Sequence, residues 1–211
     1  EFVPIIDGKV GFYACGPTVY DVAHIGNLRT YLFEDILRRA LIQEGFSVIL
    51  VMNITDVDDK TIRKSGGVKN EFAKLTKKYE ELFFSDLLSL NIERPTKTTR
   101  ATEYIEKMVA FIEDLLKKGF AYKAKDGSIY FSIGKFKNYG KLSRLDKDGI
   151  ESGARVKKDE YNKENPADFA LWKAWDEEDG EIFWDPATWL GAGTSLGKGR
   201  PGWHIECSTM S

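Results

Sequence analysis

Two apolar runs with an amphipathic stretch between them constrain this chain more than any other feature. Residues 10–13 (VGFY) read as a short buried strand that stops at Gly16-Pro17, where no regular element continues. In LRTYLFEDILRRALIQEG, the residues Leu28, Tyr31, Leu32, Ile36, Leu37, Ala40 and Leu41 recur at helical spacing. Asp35, Arg38, Arg39 and Glu44 fill the other face, and Gly45 suits a C-terminal cap. FSVILVMNIT then reads as a fully buried strand, the kind found in a parallel sheet covered on both faces. Strand, helix and strand in that order predict a right-handed βαβ unit.

Downstream, NITDVDDK closes the unit with a carboxylate-rich loop, and IRKSGGVKN is expected to be a mobile linker. Helices are predicted over about 70–90 and 100–119. The period then changes: AYKAKDGSIYFSI alternates around Asp126-Gly127, a hairpin signal. Residues 134–165 are charged and loop-rich, and from residue 186 the chain is rich in Gly, Ser and Thr. The pattern gives an α/β core, interrupted by an α+β insertion and resumed near residue 191.

Composition narrows the function classes. No apolar run is long enough to cross a bilayer, and the first residues lack the basic start and apolar stretch of a signal peptide. A net charge of −2 argues against binding nucleic acid over the whole surface, but leaves room for a local basic patch. The chain's 2 cysteines form no disulfide framework, so a buried thiol, a catalytic thiol or a metal ligand remain open for each.

The residues that carry chemistry sit at element ends. His24, Ile25, Gly26 and Asn27 fall where a βα turn meets a helix. There the free backbone N–H groups and the positive end of the helix dipole suit phosphate. His24 adds a proton donor or a positive charge, Gly26 allows close approach, and Asn27 can donate through its amide. The same four residues also suit a plain helix cap. Cys15 and Cys207 are both expected at strand-to-loop edges of one core, near His24 and His204 respectively. Two thiol donors follow from that, with the other zinc donors unassigned. Trp203 reads either as packing or as a wall of a small-molecule pocket. Asp58 and Asp59 read as a solvated loop.

Taken together, CGPTVYDVAHIGN, NITDVDDK, RATEYI, YGKLSR, GARV, NPADFALWK and GRPGWHIECSTM, in that order, resemble the cysteinyl-tRNA synthetases, which are class I aminoacyl-tRNA synthetases. The resemblance implies a Rossmann-type (HUP-like) parallel-sheet catalytic domain over 1–92, a connective insertion over 93–190 and a return to the catalytic domain over 191–211. It implies that the second half of the enzyme lies outside this chain, which alone would be inactive. It further implies a ligase that activates L-cysteine with ATP and Mg2+ to cysteinyl-adenylate and passes it to tRNA(Cys), in a cytoplasmic monomer.

By the resemblance, Cys15 and Cys207 match zinc ligands, with a further His and Glu expected beyond Ser211. The zinc selects the substrate thiolate over the hydroxyl of serine. Pro17, Thr18, His24, Gly26 and Asn27 match ATP-binding positions, with His24 and Asn27 catalytic. Gly16, Thr55, Trp203 and His204 match the cysteine pocket. Asn27 stands where the signature usually ends in His, and DPATWLGAGTSLGKGRPGW is longer than the usual link. Two other readings compete: a cysteine ligase of mycothiol synthesis, which uses no tRNA, and a non-catalytic nucleotide-binding module.

Overall fold

The computed structural model describes residues 2–144 and 168–211. GARV and the first three residues of NPADFALWK lie outside the described residues. The chain divides into two compact units. The first comprises Glu1–Tyr104, Glu178–Ile182 and Met210–Ser211; the second comprises Ile105–Glu177 and Phe183–Thr209.

The first unit is built on the predicted βαβ motif. Strand β1 (Lys9–Ala14) leads to helix α1 (Ile25–Gln43) and strand β2 (Ser47–Ile54), and β1 pairs with β2 in parallel, Lys9 opposite Ser47 and Ala14 opposite Met52. Gly45 takes a positive φ of 91° just past α1, as a terminating glycine does. Helices α2 (Asp59–Lys64) and α3 (Lys69–Ser89) follow. Strand β3 (Lys97–Arg100) then adds in parallel to β2, giving the order β1-β2-β3. The sequence boundaries place 97–100 in the insertion, whereas this strand pairs within the first sheet.

The core of this unit gathers Ala14, Met52 and Ile54 of the sheet with Tyr31, Phe83 and Leu87 of the helices. Each fully buried side chain of this size contributes about 1.5–3 kcal/mol. Tyr31 meets Phe83 edge-on, with ring centroids 5.0 Å apart.

Several expectations change here. The buried residues of α1 are Tyr31 and Asp35, while Leu32, Ile36 and Leu37 are exposed. Asp35, expected on the polar face, turns inward because it accepts from Arg39 Nε at 2.7 Å and from the backbone N–H of Glu93 at 3.1 Å. Strand β2 is buried mainly in its second half, where the helices cover it. The stretch IRKSGGVKN is no linker. It forms part of α2, then a turn in which Gly66 and Gly67 take positive φ, then the start of α3. Gly67 is buried there against Gly180, so close that a Cβ on Gly180 would lie 2.6 Å from Gly67 O.

The second unit holds helix α4 (Ile105–Lys117) and an antiparallel sheet in the order β4-β5-β6-β7. Strands β4 (Ala121–Lys123) and β5 (Ile129–Phe131) form the predicted hairpin, with Gly127 at φ 93° in the turn. Strand β6 (Phe169–Ala174) pairs with β5, and β7 (Gly199–Pro201) pairs with β6. Ile129, Tyr130 and Trp172 of the sheet are fully buried, as are Met108, Val109 and Ile112 of α4.

The long segment before β7 contains a short helix, α5 (Ala187–Leu190), and is tied to its own unit. Glu113 accepts from Thr194 Oγ1 at 2.7 Å and from Ser195 N at 2.8 Å, and Trp172 Nε1 donates to Gly197 O. Leu196 is buried. These anchors give the segment a structural role. The last helix, α6 (Trp203–Met210), carries Cys207, which therefore sits on a helix and not at a strand edge. Helical geometry begins right after Gly202, where a Cβ would lie 2.0 Å from Ala170 O.

Candidate functional site

The corner after β1 is where sequence and structure converge. Its loop continues the sheet: Val19 N donates to Thr55 O at 3.1 Å and Thr55 N donates to Pro17 O at 3.0 Å. Gly16 passes so close to β2 that a Cβ would lie 1.8 Å from Asn53 O, which only glycine permits. Beneath the loop, buried Asn53 accepts from Tyr13 Oη at 3.0 Å and from Gly16 N at 3.1 Å, and its Nδ2 donates to Thr55 Oγ1 at 3.3 Å. Sequence reasoning missed Asn53. The available signal was a polar residue near the end of an otherwise apolar strand.

Past the loop, His24 is the N-cap of α1. Its Nδ1 accepts from Gly26 N at 3.1 Å, and its own backbone N–H donates to Asn27 Oδ1 at 3.2 Å. This reciprocal box is the capping role weighed for these residues. It also fixes what each side chain has left to offer. With Nδ1 accepting, neutral His24 carries its proton on Nε2, and that N–H faces away from the cap. With Oδ1 committed, Asn27 keeps both N–H donors of its amide. Both residues are exposed. The cap thus consumes the two side-chain acceptors and the backbone N–H groups of His24 and Gly26, and leaves the side-chain donors of His24 and Asn27 for an anion.

Nearby, Cys15 is exposed at the end of β1. Half-buried Glu34 has its carboxyl pushed up to about 7 by burial, and burial also raises the Tyr31 phenol, with Glu34 and Cys15 adding to it. Pro17 and Thr18 lie half-buried in the loop. Thr55 is 1% exposed, and its hydroxyl is held by Asn53 within the strand end. Asp58 caps α2 by accepting from Lys60 N, and Asp56 is buried against Thr102, where burial raises its carboxyl above the usual carboxylate range. The acidic loop is thus largely structural.

The remaining predicted residues belong to the second unit. Trp203 and His204 are exposed at the start of α6, with ring centroids 5.6 Å apart, and His204 meets Phe169 edge-on at 4.6 Å. Cys207 is half-exposed one turn on. Among the described residues, no group of three or more His, Cys, Asp or Glu side chains is placed to hold a metal ion. The donors among the described residues fall short of the four that a structural zinc takes.

The first unit is a parallel α/β unit with the N-terminus of α1 following its first strand, the architecture in which helix N-termini can bind anions. The family described as tRNA synthetases class I (C) catalytic domain matches residues 1–211. The chain belongs to that family. It is 51% identical, over all of its length and 43% of the relative's, to a cysteine--tRNA ligase of Brachyspira hyodysenteriae. It is 52% identical to a cysteine--tRNA ligase of Chlamydia pneumoniae, over 96% of this chain and 41% of the relative. The chain thus spans less than half the length of these relatives. A solved structure from Campylobacter jejuni, provisionally assigned as an arginyl tRNA synthetase, shares the fold at a TM-score of 0.51 and 13% identity, covering 61% of this chain and 38% of that one.

Proposed function

We propose that this chain carries the amino-acid-activating part of a cysteine--tRNA ligase, built on a Rossmann-type sheet. The observation that carries the reading is half-identity along the whole chain to ligases of that name. The β1–α1 corner supports it with chemistry. In activation, a carboxylate oxygen of cysteine attacks the α-phosphorus of ATP, the bond to the bridging oxygen breaks, and pyrophosphate leaves with its Mg2+. Negative charge builds on the phosphate oxygens. His24 Nε2–H and the Asn27 amide donate to those oxygens, and the N-terminus of α1 adds its dipole. Held by the capping box, these donors need no reorganisation as the charge develops. Gly26, Pro17 and Thr18 complete the ATP side in this proposal.

Gly16, Thr55, Trp203 and His204 are proposed for the cysteine side, Thr55 by holding the strand end through Asn53. Cys15 and Cys207 are each proposed as a thiol donor to zinc, with further donors required. The sheet β4–β7 with α4 is proposed as the connective insertion, and tRNA(Cys) as the acceptor. The test is isotope exchange between pyrophosphate and ATP, run with this chain inside a full-length ligase, because the chain alone spans 43% of such a relative. Exchange that requires cysteine and not serine is expected. Exchange driven by another amino acid, or none with cysteine, overturns the reading.

A further inference from the structure

The loop after β1 is fastened to β2 in two different ways. Residues 17–19 are held by main chain alone: Thr55 N donates to Pro17 O at 3.0 Å, and Val19 N donates to Thr55 O at 3.1 Å. Gly16 is held by a side chain. Its N–H donates to Asn53 Oδ1 at 3.1 Å, and the same oxygen accepts from Tyr13 Oη at 3.0 Å. Tyr13 and Gly16 lie on either side of Ala14 and Cys15 in the sequence, so one buried amide oxygen grips the chain before and after Cys15.

This position calls for an amide. The N–H of Gly16 can only donate, which turns Oδ1 of Asn53 toward it and Nδ2 toward Thr55 Oγ1, 3.3 Å away. The residues before Asn53, from Val48 to Met52, are all apolar. An apolar side chain at 53 would suit that strand equally well, but would leave the N–H of Gly16 without this acceptor. Main chain closes the arrangement from the other side, because a Cβ on Gly16 would lie 1.8 Å from Asn53 O. The Cys15–Gly16 turn therefore sits where Asn53 puts it.

We infer that Asn53 is a positioning residue for the cysteine side of activation. It sets the Cys15–Gly16 turn against Thr55 and touches no substrate itself. The inference rests on the ligase reading above, which gives Gly16 and Thr55 to the amino acid and Pro17 and Thr18 to ATP. The ladder between residues 17–19 and Thr55 uses no side chain of Asn53. Loss of the amide therefore loosens the cysteine side and spares the ATP side. Displacing a binding group by about 1 Å can cost up to about 10²-fold, so the effect is measurable.

The test titrates a full-length ligase carrying this chain, by calorimetry, with cysteine alone and with ATP alone. In N53A the Kd for cysteine should rise at least tenfold, while the Kd for ATP stays within twofold of wild type. T55V withdraws the acceptor of Asn53 Nδ2 and should raise the cysteine Kd about threefold, so it carries the test where N53A folds poorly. Y13F keeps the bond from Gly16 and should bind both ligands like wild type. Loss of fold lowers the number of binding sites and leaves each Kd unchanged, which separates it from loss of positioning. An unchanged cysteine Kd in N53A and T55V, or equal weakening of cysteine and ATP, overturns the inference. Cysteine-dependent pyrophosphate exchange by the wild-type ligase separates the two claims. Its absence overturns the ligase reading and this inference together; its presence with an unchanged cysteine Kd in the variants overturns this inference alone.

Discussion

Asn53→Ala is the substitution that most sharply tests how the β1 corner is held. Asn53 is 1% exposed, and its side chain accepts from Tyr13 Oη and Gly16 N and donates to Thr55 Oγ1. Each bond contributes about 1 kcal/mol net, so losing three costs about 3 kcal/mol. Leaving Gly16 N–H short of its acceptor adds about 1 kcal/mol or more, because the loop covers it. Tyr13 is half-exposed and can turn to water, which reduces its share. The expected total is about 3–4 kcal/mol. Urea unfolding followed by circular dichroism reads it. Tyr13→Phe alone should cost about 1 kcal/mol, and in the double variant that cost should vanish, because the two residues share one bond. A loss below 1 kcal/mol for Asn53→Ala, or full additivity with Tyr13→Phe, would refute the assignment of Asn53 as the hub of this corner.

Other outcomes follow from the same geometry. Asn27→Asp keeps the cap acceptor but replaces the amide donors with negative charge. Stability should hold within about 0.5 kcal/mol, while cysteine-dependent exchange falls by about 10²-fold or more; equal exchange would remove Asn27 from the phosphate contact. Gly180→Ala places a Cβ 2.6 Å from Gly67 O at a positive φ, and should cost about 2–4 kcal/mol by thermal unfolding. For Glu34, burial raises the folded-state carboxyl from 4.5 to about 7. The folded state therefore holds its proton where the unfolded state has lost it, and stability declines as pH rises from about 4.5 to 7. Screening at a half-buried site leaves roughly 1–2 kcal/mol of that decline. Glu34→Gln should remove it, and a variant with the same pH slope as wild type in urea titrations would count against it.

The legible parts of the fold are those where one periodicity dominates. Strands β1 and β2, helix α3 and the Asp126-Gly127 hairpin each carry a single clear period or turn signal. Strand β3 stayed hidden because its four residues, KTTR, are polar; parallel pairing with β2 makes it a strand. The inward face of α1 was misjudged because Asp35 is buried for its bonds to Arg39 and Glu93, which no hydrophobic pattern encodes. Gly66 and Gly67 suggested flexibility, yet their positive φ and the close approach of Gly180 make a packed turn. At the corner, His24 and Asn27 were legible as a helix start. Which of their atoms the cap consumes was not, because that depends on side-chain geometry. Asn53 showed only as a polar residue ending an apolar strand, because its partners Tyr13 and Gly16 lie about 40 residues away and meet it only through the β1–β2 pairing.

Charging of tRNA(Cys) is the measurement that bears most directly on the central claim. This chain, inside a full-length ligase, would be incubated with ATP, Mg2+, the tRNA transcript and labelled cysteine or serine. Label from cysteine should appear on the tRNA, label from serine should not, and Asn27→Asp should slow the reaction. Transfer of serine as readily as cysteine, or activation of cysteine that ends on a small amine and never on tRNA, would contradict it.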